Sequence, residues 1–394
     1  MTRTAIPALI FLAAAVSLPA QPPAPGAPPP VPLFSAEVIQ SFTPPDNPIT
    51  DAKAKLGDMI FDDKRVSSDN SIACNTCHSP RNGFTTHTET SRGVGDQIGK
   101  RNAPSLLNAM FYKSMFWDGR AATLEEQATL PILNPVEMGQ KDLKDVVAKL
   151  AAIPEFVEAF KKVFDRPPNV EDLAKAVAAF ERTRLSTQAP FDRFLHGDEK
   201  ALNASQRRGW ALFTGKAHCG SCHTYDPALP LFGDNLFHNT GVAAGKQDFN
   251  QVAKLAAETI AAGNAEEIDK LALETDFSVL GRFLVTKKKE DIGAFKTPFL
   301  RDVLLTGPYM HDGSLETLWD VVEFFNKGGE QNSFLDAEMK PLGLTASEVD
   351  DLANFLGALT SDRFEELRNA ELDRQRTTYQ YRVAVQHETQ KGSR

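Results

Sequence analysis

Apolar residues recur at every third or fourth position along much of the chain, which is the spacing of amphipathic helices. Such segments run over residues 57–61, 141–151, 155–164, 171–185 and 209–213, with a break at Pro154. Segments in which apolar and polar residues alternate, as in half-buried strands, are nearly absent. The pattern therefore predicts a mainly α fold.

The first twenty residues follow a different pattern, which is typical of an export signal. Arg3 precedes an apolar run over residues 6–16, and small residues lead to a cleavage site at Ala20. The run is too short to cross a bilayer as a helix, which takes about 20 apolar residues. Residues 1–20 are therefore predicted to be a secretory signal peptide, and the proline-rich residues 21–45 to be an extended tether.

The remaining chain is too long for one hydrophobic core, since single cores rarely exceed about 250 to 300 residues. The helical pattern stops near residues 186–198, where turn-forming residues collect. We therefore predict an N-terminal domain over 46–190 and a C-terminal domain over 191–362. The charged residues 363–394 are predicted to form a helix with a frayed tail, whose face is solvated and binds nothing.

The chain is acidic, with a formal net charge of −9. A protein that binds nucleic acid would carry a basic face, so nucleic acid is excluded as a partner. The charge is compatible with an acidic docking face for a basic redox protein, but ordinary solubility gives the same balance.

All four cysteines lie in two Cys-x-x-Cys-His units, "CNTCHSP" at 74–80 and "CGSCHT" at 219–224. This unit is the attachment site of c-type haem: the two thiols bond to the porphyrin vinyl groups, and the histidine becomes an axial ligand of the iron. The predicted attachment residues are Cys74, Cys77, His78, Cys219, Cys222 and His223. Two covalently bound haem c groups would account for every thiol.

Other uses of four cysteines fit less well. Two disulfides, with three possible pairings, would be ordinary in an exported protein but leave the histidines unexplained. A thioredoxin-like site would not require them either, and a zinc site would need ligand pairs closer than the 145 residues (219 minus 74) between the units. The helical segments 57–61 and 209–213 stand just before the two units, which favours one haem per domain.

Three longer segments carry a resemblance to a known family. They are "LGDMIFDDKRVSSDNSIACNTCH" at the first unit, "GKRNAPSLLNAMFYKSMFWDGRAATLEEQATLPILNPVEMG" at 99–139, and "GAFKTPFLRDVLLTGPYMHDGSLETL" at 293–318. They resemble the bacterial diheme cytochrome c peroxidases and their MauG-type relatives, over residues 55–360 with an insertion-like stretch near 243–274. The resemblance implies two cytochrome c-like domains, each enclosing one covalently attached haem c.

Peroxide chemistry explains why such enzymes carry two haems. Reduction of hydrogen peroxide to water takes two electrons and two protons, whereas one haem iron changes by one electron at a time. In the resembled enzymes the N-terminal haem, here on His78, reacts with peroxide and keeps one axial position open. The C-terminal haem, here on His223, is the site of electron entry or storage.

The resemblance also implies roles for three residues between the units. Glu137 in "NPVEM" matches the distal acid that moves a proton between the peroxide oxygens. Gln127 in "LEEQA" matches the amide that orients the peroxide, and Trp117 in "FWDGR" matches an indole between the haems that passes electrons or holes. Taken singly, each residue has a structural alternative: a first-turn acid, an exposed amide and a core aromatic.

A calcium ion between the domains is implied by the same resemblance. Asn102 in "KRNAPS" and the backbone oxygens of Thr306 and Pro308 match the protein ligands of that site, which water completes. Ligation by oxygen alone suits Ca²⁺. Asn102 stands before Ala-Pro, where it would also serve as a helix cap.

The chain departs from the family at two places where iron ligands are expected. The sixth ligand of the electron-transfer haem is a Met in the peroxidases and a Tyr in the MauG-type enzymes, but Phe325 stands there, with Met310 and Met339 as remaining candidates. Some peroxidases carry a histidine after the first unit that closes the first iron at rest. Here only His87 is present and it is offset, so the loop resembles the MauG type, in which the first haem is open without activation.

Together these features predict a diheme c-type peroxidase that reduces hydrogen peroxide with electrons from a small cytochrome c or cupredoxin. The first alternative is a MauG-type enzyme that uses peroxide to oxidise residues of a partner protein, and the second is a diheme electron carrier without catalysis. The predicted signal peptide places the protein in the periplasm. The quaternary state is left open, with a homodimer as one possibility.

Overall fold

Helices make up nearly all of the regular secondary structure, as the apolar spacing predicts. The computed structural model describes residues 34–246, 248–268 and 277–392, so the predicted signal peptide and most of the tether lie outside the described residues. The main helices are α1 (Ala36–Ser41), α2 (Asp51–Phe61), α3 (Cys74–Cys77), α4 (Leu124–Leu133), α5 (Leu143–Ala151), α6 (Pro154–Phe164), α7 (Val170–Arg182), α8 (Pro190–Leu195), α9 (Ala204–Thr214), α10 (Phe249–Ala261), α11 (Phe283–Thr286), α12 (Leu318–Asn326), α13 (Ala346–Gly357) and α14 (Glu365–Gly392).

Two short strands join distant parts of the second half. Strand β1 (Phe237–His238) pairs antiparallel with strand β2 (Phe295–Lys296), with Phe237 opposite Lys296. The predicted mainly α class is confirmed. Within the described ranges, no helix is both long enough and apolar enough to cross a membrane.

The helices begin where the sequence supplies a cap. The predicted helix after Pro154 starts at the proline itself, because proline fits the first turn, where its missing N–H is not needed. α7 follows Asn169, whose side chain accepts the N–H of Asp172, and it ends at Arg182, three residues before the predicted limit. Local capping therefore sets boundaries that apolar spacing alone leaves uncertain.

The helix before each Cys-x-x-Cys-His unit crosses a second helix at a glycine. A Cβ added at Gly57 of α2 would collide with the Ala176 carbonyl oxygen of α7. A Cβ added at Gly209 of α9 would collide with the Asp351 carbonyl oxygen of α13. Only a residue without a side chain allows these backbones to approach so closely. The similar segments "GDMIF" and "GWALF" thus build the same helix crossing twice.

In each helix pair, an aromatic ring from one helix packs on an aromatic ring from the other. Phe61 packs on Phe180 with ring centres 4.8 Å apart, and Phe213 packs on Phe355 at 5.3 Å. These residues extend the two helix pairs toward the two haem-attachment units. Residues 34–392, as far as they are described, belong to one compact unit, so the predicted domain boundary at 190/191 stays a prediction.

The stretch where turns were expected contains a helix. α8 begins at Pro190, which suits the first helical position, and it buries Phe191 completely. The expectation of turns over residues 186–198 is wrong at this point, because the buried Phe191 and the buried Asp192, which accepts the Ala189 N–H and pairs with Arg301, hold a short helix here.

The C-terminal helix α14 is not the solvated element that its charges predict. Gln375 is 0% exposed, and its Nε2 donates to the Leu304 carbonyl (3.0 Å) and the Tyr309 hydroxyl (2.8 Å). Its Oε1 accepts the backbone N–H of Leu318, the first residue of α12, at 2.8 Å. The expectation of a solvated face is therefore wrong, because a buried amide with satisfied hydrogen bonds looks the same in sequence as an exposed one.

The insertion-like stretch near 243–274 adds α10 to the second half. Phe249 and Val252 of this helix are buried in a cluster that also contains Phe283 and Phe295, and Trp117 of the first half packs against that cluster. Residues 247 and 269–274 of the stretch lie outside the described residues. The described part of the insertion thus contributes to the surroundings of Trp117.

Candidate functional site

The first Cys-x-x-Cys-His unit forms a single helical turn that carries both thiols. α3 runs from Cys74 to Cys77, and the backbone N–H of His78 donates to the Cys74 carbonyl. All four cysteines of the chain are free and half-buried, so the disulfide alternative has no support. Burial raises the pKa of the Cys74 thiol to about 12.

The two histidines of the units are held in the same way. Nδ1 of His78 lies 3.1 Å from the Phe84 carbonyl oxygen, and Nδ1 of His223 lies 2.9 Å from the Phe232 carbonyl oxygen. Because a carbonyl oxygen only accepts, each Nδ1 carries the proton and each Nε2 keeps a lone pair for a metal. Burial lowers the pKa of both histidines, which favours the neutral imidazole that an iron ligand requires.

A mostly apolar cavity of about 260 Å³ lies beside the second unit. We call it the His223 cavity, and its lining includes Cys219, Cys222 and His223 together with one face of α12, namely Leu318, Val321, Val322 and Phe325. An apolar cavity with two thiols and one neutral imidazole in its wall is the donor set that a covalent haem c needs. The residues present therefore fit the predicted cofactor.

Glu137 lies close to the first unit. Burial raises the pKa of the Cys77 thiol, and the Glu137 carboxylate adds to that increase. Burial also raises the pKa of Glu137 itself, against the opposing charge of Arg120. Asn134 Nδ2 donates to Glu137 Oε1 at 2.8 Å, and the Val94 N–H donates to the Glu137 carbonyl at 3.0 Å. A half-buried carboxyl group with a raised pKa is suited to take up and release a proton.

Gln127 on α4 presents an unpaired acceptor. Its Oε1 is buried and has no hydrogen-bond partner among the described residues. An unsatisfied buried acceptor costs about 1–3 kcal/mol, so its presence indicates that a ligand or water completes the bond. This fits a residue that orients a bound molecule, although the assigned roles of Glu137, Gln127 and Trp117 stay predictions.

Trp117 connects the two halves through both its side chain and its backbone. Its indole Nε1 donates to the Asn102 carbonyl at 2.9 Å, and its own carbonyl accepts the N–H of Lys296 at 2.8 Å. Asn102 stands two residues before Pro104 and Lys296 two residues before Pro298, and the backbones of these prolines lie near His78 and His223 respectively. Covalent and hydrogen bonds through Trp117 thus join the backbone near His78 to the backbone near His223.

The predicted calcium ligands lie along one wall of the His223 cavity. Asn102, Thr306 and Pro308 all line it. Asn102 is 4% exposed, and its Nδ2 donates to the carbonyls of Thr88 (3.3 Å) and Glu89 (3.2 Å). These bonds leave the side-chain oxygen as the atom available to a cation. Calcium binding at this wall stays a prediction.

Phe325, at the position where the sixth ligand of the second haem is expected, and the two remaining candidates Met310 and Met339 all line the His223 cavity. A phenyl ring has no lone pair to give to iron, so the departure noted at Phe325 lies inside the cavity itself.

His87, the only histidine in the loop after the first unit, is exposed. The pKa of Glu371 on α14 is raised by burial and lowered by Arg374, Gln375 and, to a smaller extent, His87. His87 therefore lies near α14, and its assignment as an iron ligand stays a prediction.

Sequence reasoning missed a charged cluster beside Cys222. Nδ1 of His238 lies 2.6 Å from Asp336 Oδ2, and its Nε2 lies 2.9 Å from Asp234 Oδ2. The Asp234 carboxylate is the main cause that raises the pKa of His238 to about 11, so the ring is a cation. With both nitrogens bonded, His238 is not a free iron ligand. Asp234 and His238 stand four residues apart, a spacing too common to indicate a cluster by itself.

Comparisons with known proteins place these features in one family. The family model described as "Di-haem cytochrome c peroxidase" matches residues 51–200. The cytochrome-c peroxidase IdrP1 of Pseudomonas sp. (strain SCT) is 37% identical over 361 residues, which are 90% of this chain and 89% of that protein. The methylamine utilization protein MauG of Methylorubrum extorquens is 37% identical over 322 residues, covering 81% of each chain. The cytochrome c551 peroxidase of Pseudomonas aeruginosa is 35% identical over 316 residues, 79% of this chain and 80% of that protein.

Solved structures have the same fold. The crystal structure of a MauG-like protein associated with microbial copper homeostasis matches with a TM-score of 0.67 at 27% identity, over 86% of this chain and 95% of that one. The diheme peroxidase BthA from Burkholderia thailandensis matches with a TM-score of 0.66 at 22% identity, over 81% and 88%. The predicted cytochrome c-like fold class and the peroxidase-type class of oxidoreductase are confirmed at the level of the family. The chain belongs to the di-haem cytochrome c peroxidase family, which implies two haem c groups.

Proposed function

We propose that the protein is a di-haem c-type peroxidase that reduces hydrogen peroxide to water with electrons from a small cytochrome c or cupredoxin. The observation that carries the proposal is Glu137, a half-buried carboxyl group with a raised pKa beside the first haem-attachment unit. A simple electron carrier has no use for such an acid. The peroxidase names of the relatives that are 35% and 37% identical support the same activity.

The reaction combines one hydrogen peroxide, two electrons and two protons into two waters. Cys74, Cys77 and His78 would hold the first haem, and bound haem supplies one-electron redox chemistry at iron. The chain supplies the proton movement: Glu137 accepts a proton from one peroxide oxygen and returns it to the other, which leaves as water. Asn134 Nδ2, 2.8 Å from Glu137 Oε1, keeps the carboxyl group in position for both steps.

The neighbouring residues orient the substrate and carry the electrons. The unpaired Oε1 of Gln127 accepts a hydrogen bond from the peroxide and so fixes its direction. Trp117 gives electrons a route from the second half, because its hydrogen bonds to Asn102 and Lys296 join the two halves. A calcium ion on Asn102, Thr306 and Pro308 would stiffen the same contact.

A MauG-type function is the second candidate. Two observations favour it: a MauG protein is 37% identical over 81% of this chain, and His87 lies exposed near α14. In that case the electrons would come from residues of a partner protein, which would be oxidised. Export to the periplasm suits either function and is proposed with them, on the ground of the predicted signal peptide.

Steady-state turnover of the holoprotein with hydrogen peroxide tests the proposed function. With a reduced small cytochrome c or cupredoxin we expect sustained turnover, in which two one-electron donors are oxidised for each peroxide and remain chemically intact. Covalent oxidation of a partner protein without donor turnover would favour the MauG-type function. A resting protein in which both haems are six-coordinate and inert to peroxide would favour the electron carrier.

Phe325→Tyr is expected to convert the second haem toward low-spin ligation by His223 and tyrosine and to lower its potential. An anionic phenolate oxygen stabilises the oxidised iron, and axial-ligand identity is a main determinant of haem potential. A redox titration followed by EPR measures both changes. Phe324→Tyr is the matched control, because Phe324 is adjacent on α12 but is not part of the cavity wall. A histidine–methionine spectrum in the wild type would instead identify Met310 or Met339 as the ligand.

A further inference from the structure

The two halves repeat one backbone pattern at a constant separation of 194 residues (302 minus 108). Positive φ angles recur in pairs at this separation, at Asn108 and Asp302, Phe116 and Met310, and Gly119 and Gly313. The isolated bridges Met115–Ala121 and Tyr309–Leu315 follow the same rule. Positive φ angles are uncommon outside glycine, so their shared spacing is not accidental. Segments 102–121 and 296–315 are therefore structural counterparts.

The counterparts face each other through an exchanged pair of hydrogen bonds. The Asn102 N–H donates to the His311 carbonyl at 2.9 Å, and the Lys296 N–H donates to the Trp117 carbonyl at 2.8 Å. Asn102 is the counterpart of Lys296, and His311 is the counterpart of Trp117, so the two hydrogen bonds are equivalent. This is what a local two-fold relation requires. Asn102 and Lys296 thus hold equivalent positions on opposite sides of this contact.

The Lys296 side chain lies at the counterpart of the predicted calcium site. The calcium ligands Thr306 and Pro308 have Tyr112 and Ser114 as their counterparts. Nζ of Lys296 donates to the Ser114 carbonyl at 2.8 Å and lies 3.8 Å from the centre of the Tyr112 ring. A carbonyl oxygen and the face of an aromatic ring both stabilise a positive charge.

The ammonium group is enclosed by the fold. Lys296 is 7% exposed, and burial lowers its pKa to about 7, while the Asp118 carboxylate acts in the opposite direction. Burial thus favours the neutral amine, whereas the Asp118 carboxylate, the Ser114 carbonyl and the Tyr112 ring favour the charged form. Because Lys296 also donates its N–H to Trp117, the residue holds two points of the loop that carries the indole, one at Ser114 and one at Trp117.

We propose that Lys296 is a built-in cation that fills the counterpart of the Asn102 calcium site, so that the chain needs an added ion on one side only. The expectation of a calcium ion at Asn102 rests on the proposed function. The role of Lys296 rests on the contacts of its ammonium group with Ser114 and Tyr112. The arrangement implies that the lysine and the calcium ion are interchangeable: Lys296→Asn should open a second calcium site, and Asn102→Lys should replace the ion.

Calcium counting on the holoprotein tests the first exchange. Protein stripped with EGTA is titrated with Ca²⁺ in a calorimeter, and we expect one ion per chain for the wild type and one more for Lys296→Asn. Lys113→Asn, an exposed lysine on the same loop, is the matched control and should keep the wild-type count. An unchanged count for Lys296→Asn would overturn the inference. A wild type that binds no calcium, with one ion bound by Lys296→Asn, would refute the calcium site on Asn102 and leave the Lys296 inference standing.

Asn102→Lys tests the reverse exchange and does not require Lys296→Asn to fold. We expect this variant to bind one ion fewer than the wild type. Its melting temperature in EGTA should reach that of the calcium-loaded wild type, because the ammonium takes the place of the ion. A melting temperature that stays below this value, or that still rises when Ca²⁺ is added, would contradict the proposed equivalence.

Discussion

Glu137→Gln should slow the reaction with hydrogen peroxide by about 10²–10⁴-fold, the usual loss when a general acid–base group is removed. Gln keeps the size of the side chain and can still pair with Asn134, but it cannot accept a proton from one peroxide oxygen and return it to the other. The spectra of both haems should stay nearly unchanged. Stopped-flow mixing with peroxide measures the rate directly.

The pH dependence of the same reaction separates proton transfer from a packing effect. Burial raises the pKa of Glu137 above its ordinary value of 4.5, and the group must be deprotonated to accept the first proton. The wild-type rate should therefore rise with pH through this raised pKa, and the rise should vanish in Glu137→Gln. Glu155→Gln, an exposed acid at the start of α6, is the control. A wild-type rate and profile in Glu137→Gln would return the residue to a structural role.

Trp117→Phe is expected to leave peroxide binding at the first haem intact while slowing oxidation of the second haem by an order of magnitude or more. The indole is easier to oxidise than a phenyl ring, and its Nε1 provides the hydrogen bond to Asn102. The substitution therefore removes the oxidisable indole. It also removes the hydrogen bond to the Asn102 carbonyl, which is one step of the route between the two halves. Rapid-mixing spectroscopy follows the two haems separately after one equivalent of peroxide.

Trp210→Phe provides the matched control for this loss. Trp210 packs among the aromatic rings of the second core, including Phe191 and Phe355, and does not belong to the Trp117 route. It should change stability slightly and leave the transfer rate alone. If the second haem of Trp117→Phe is oxidised as fast as in the wild type, the electrons take another path.

The parts of the molecule that depend on local pattern were predictable from the sequence. The Cys-x-x-Cys-His units set the attachment residues, because their chemistry needs only a short contiguous segment. The helices at 141–151 and 155–164 followed from apolar spacing. Their observed starts differ from the predicted ones only because Asp142 caps the first helix and Pro154 occupies the first turn of the second.

Features that depend on distant contacts were not predictable in this way. In the sequence "GAFKTPF", Lys296 cannot be told from an ordinary surface lysine. Only the fold shows that its Nζ donates to the Ser114 carbonyl. The available signal was the repeated spacing of "APSLLN" to "WDG" and "TPFLRD" to "HDG", whose shared letters are too few to stand out. Gln375 was misread for a similar reason, because its partners outside α14, namely Leu304, Tyr309 and Leu318, lie 57 to 71 residues away in sequence.

The Gln375 contacts also make the second pocket depend on the C-terminal helix α14. Gln375 fastens the first residue of α12 and the Tyr309 hydroxyl, yet it is synthesised 153 residues (375 minus 222) after Cys222. The wall beside the second unit is therefore held by a residue that is distant from that unit in sequence. Without α14, the Leu318 N–H and the Tyr309 hydroxyl in the wall of the His223 cavity would lose their Gln375 partner, so the C-terminal helix supports the second haem site directly.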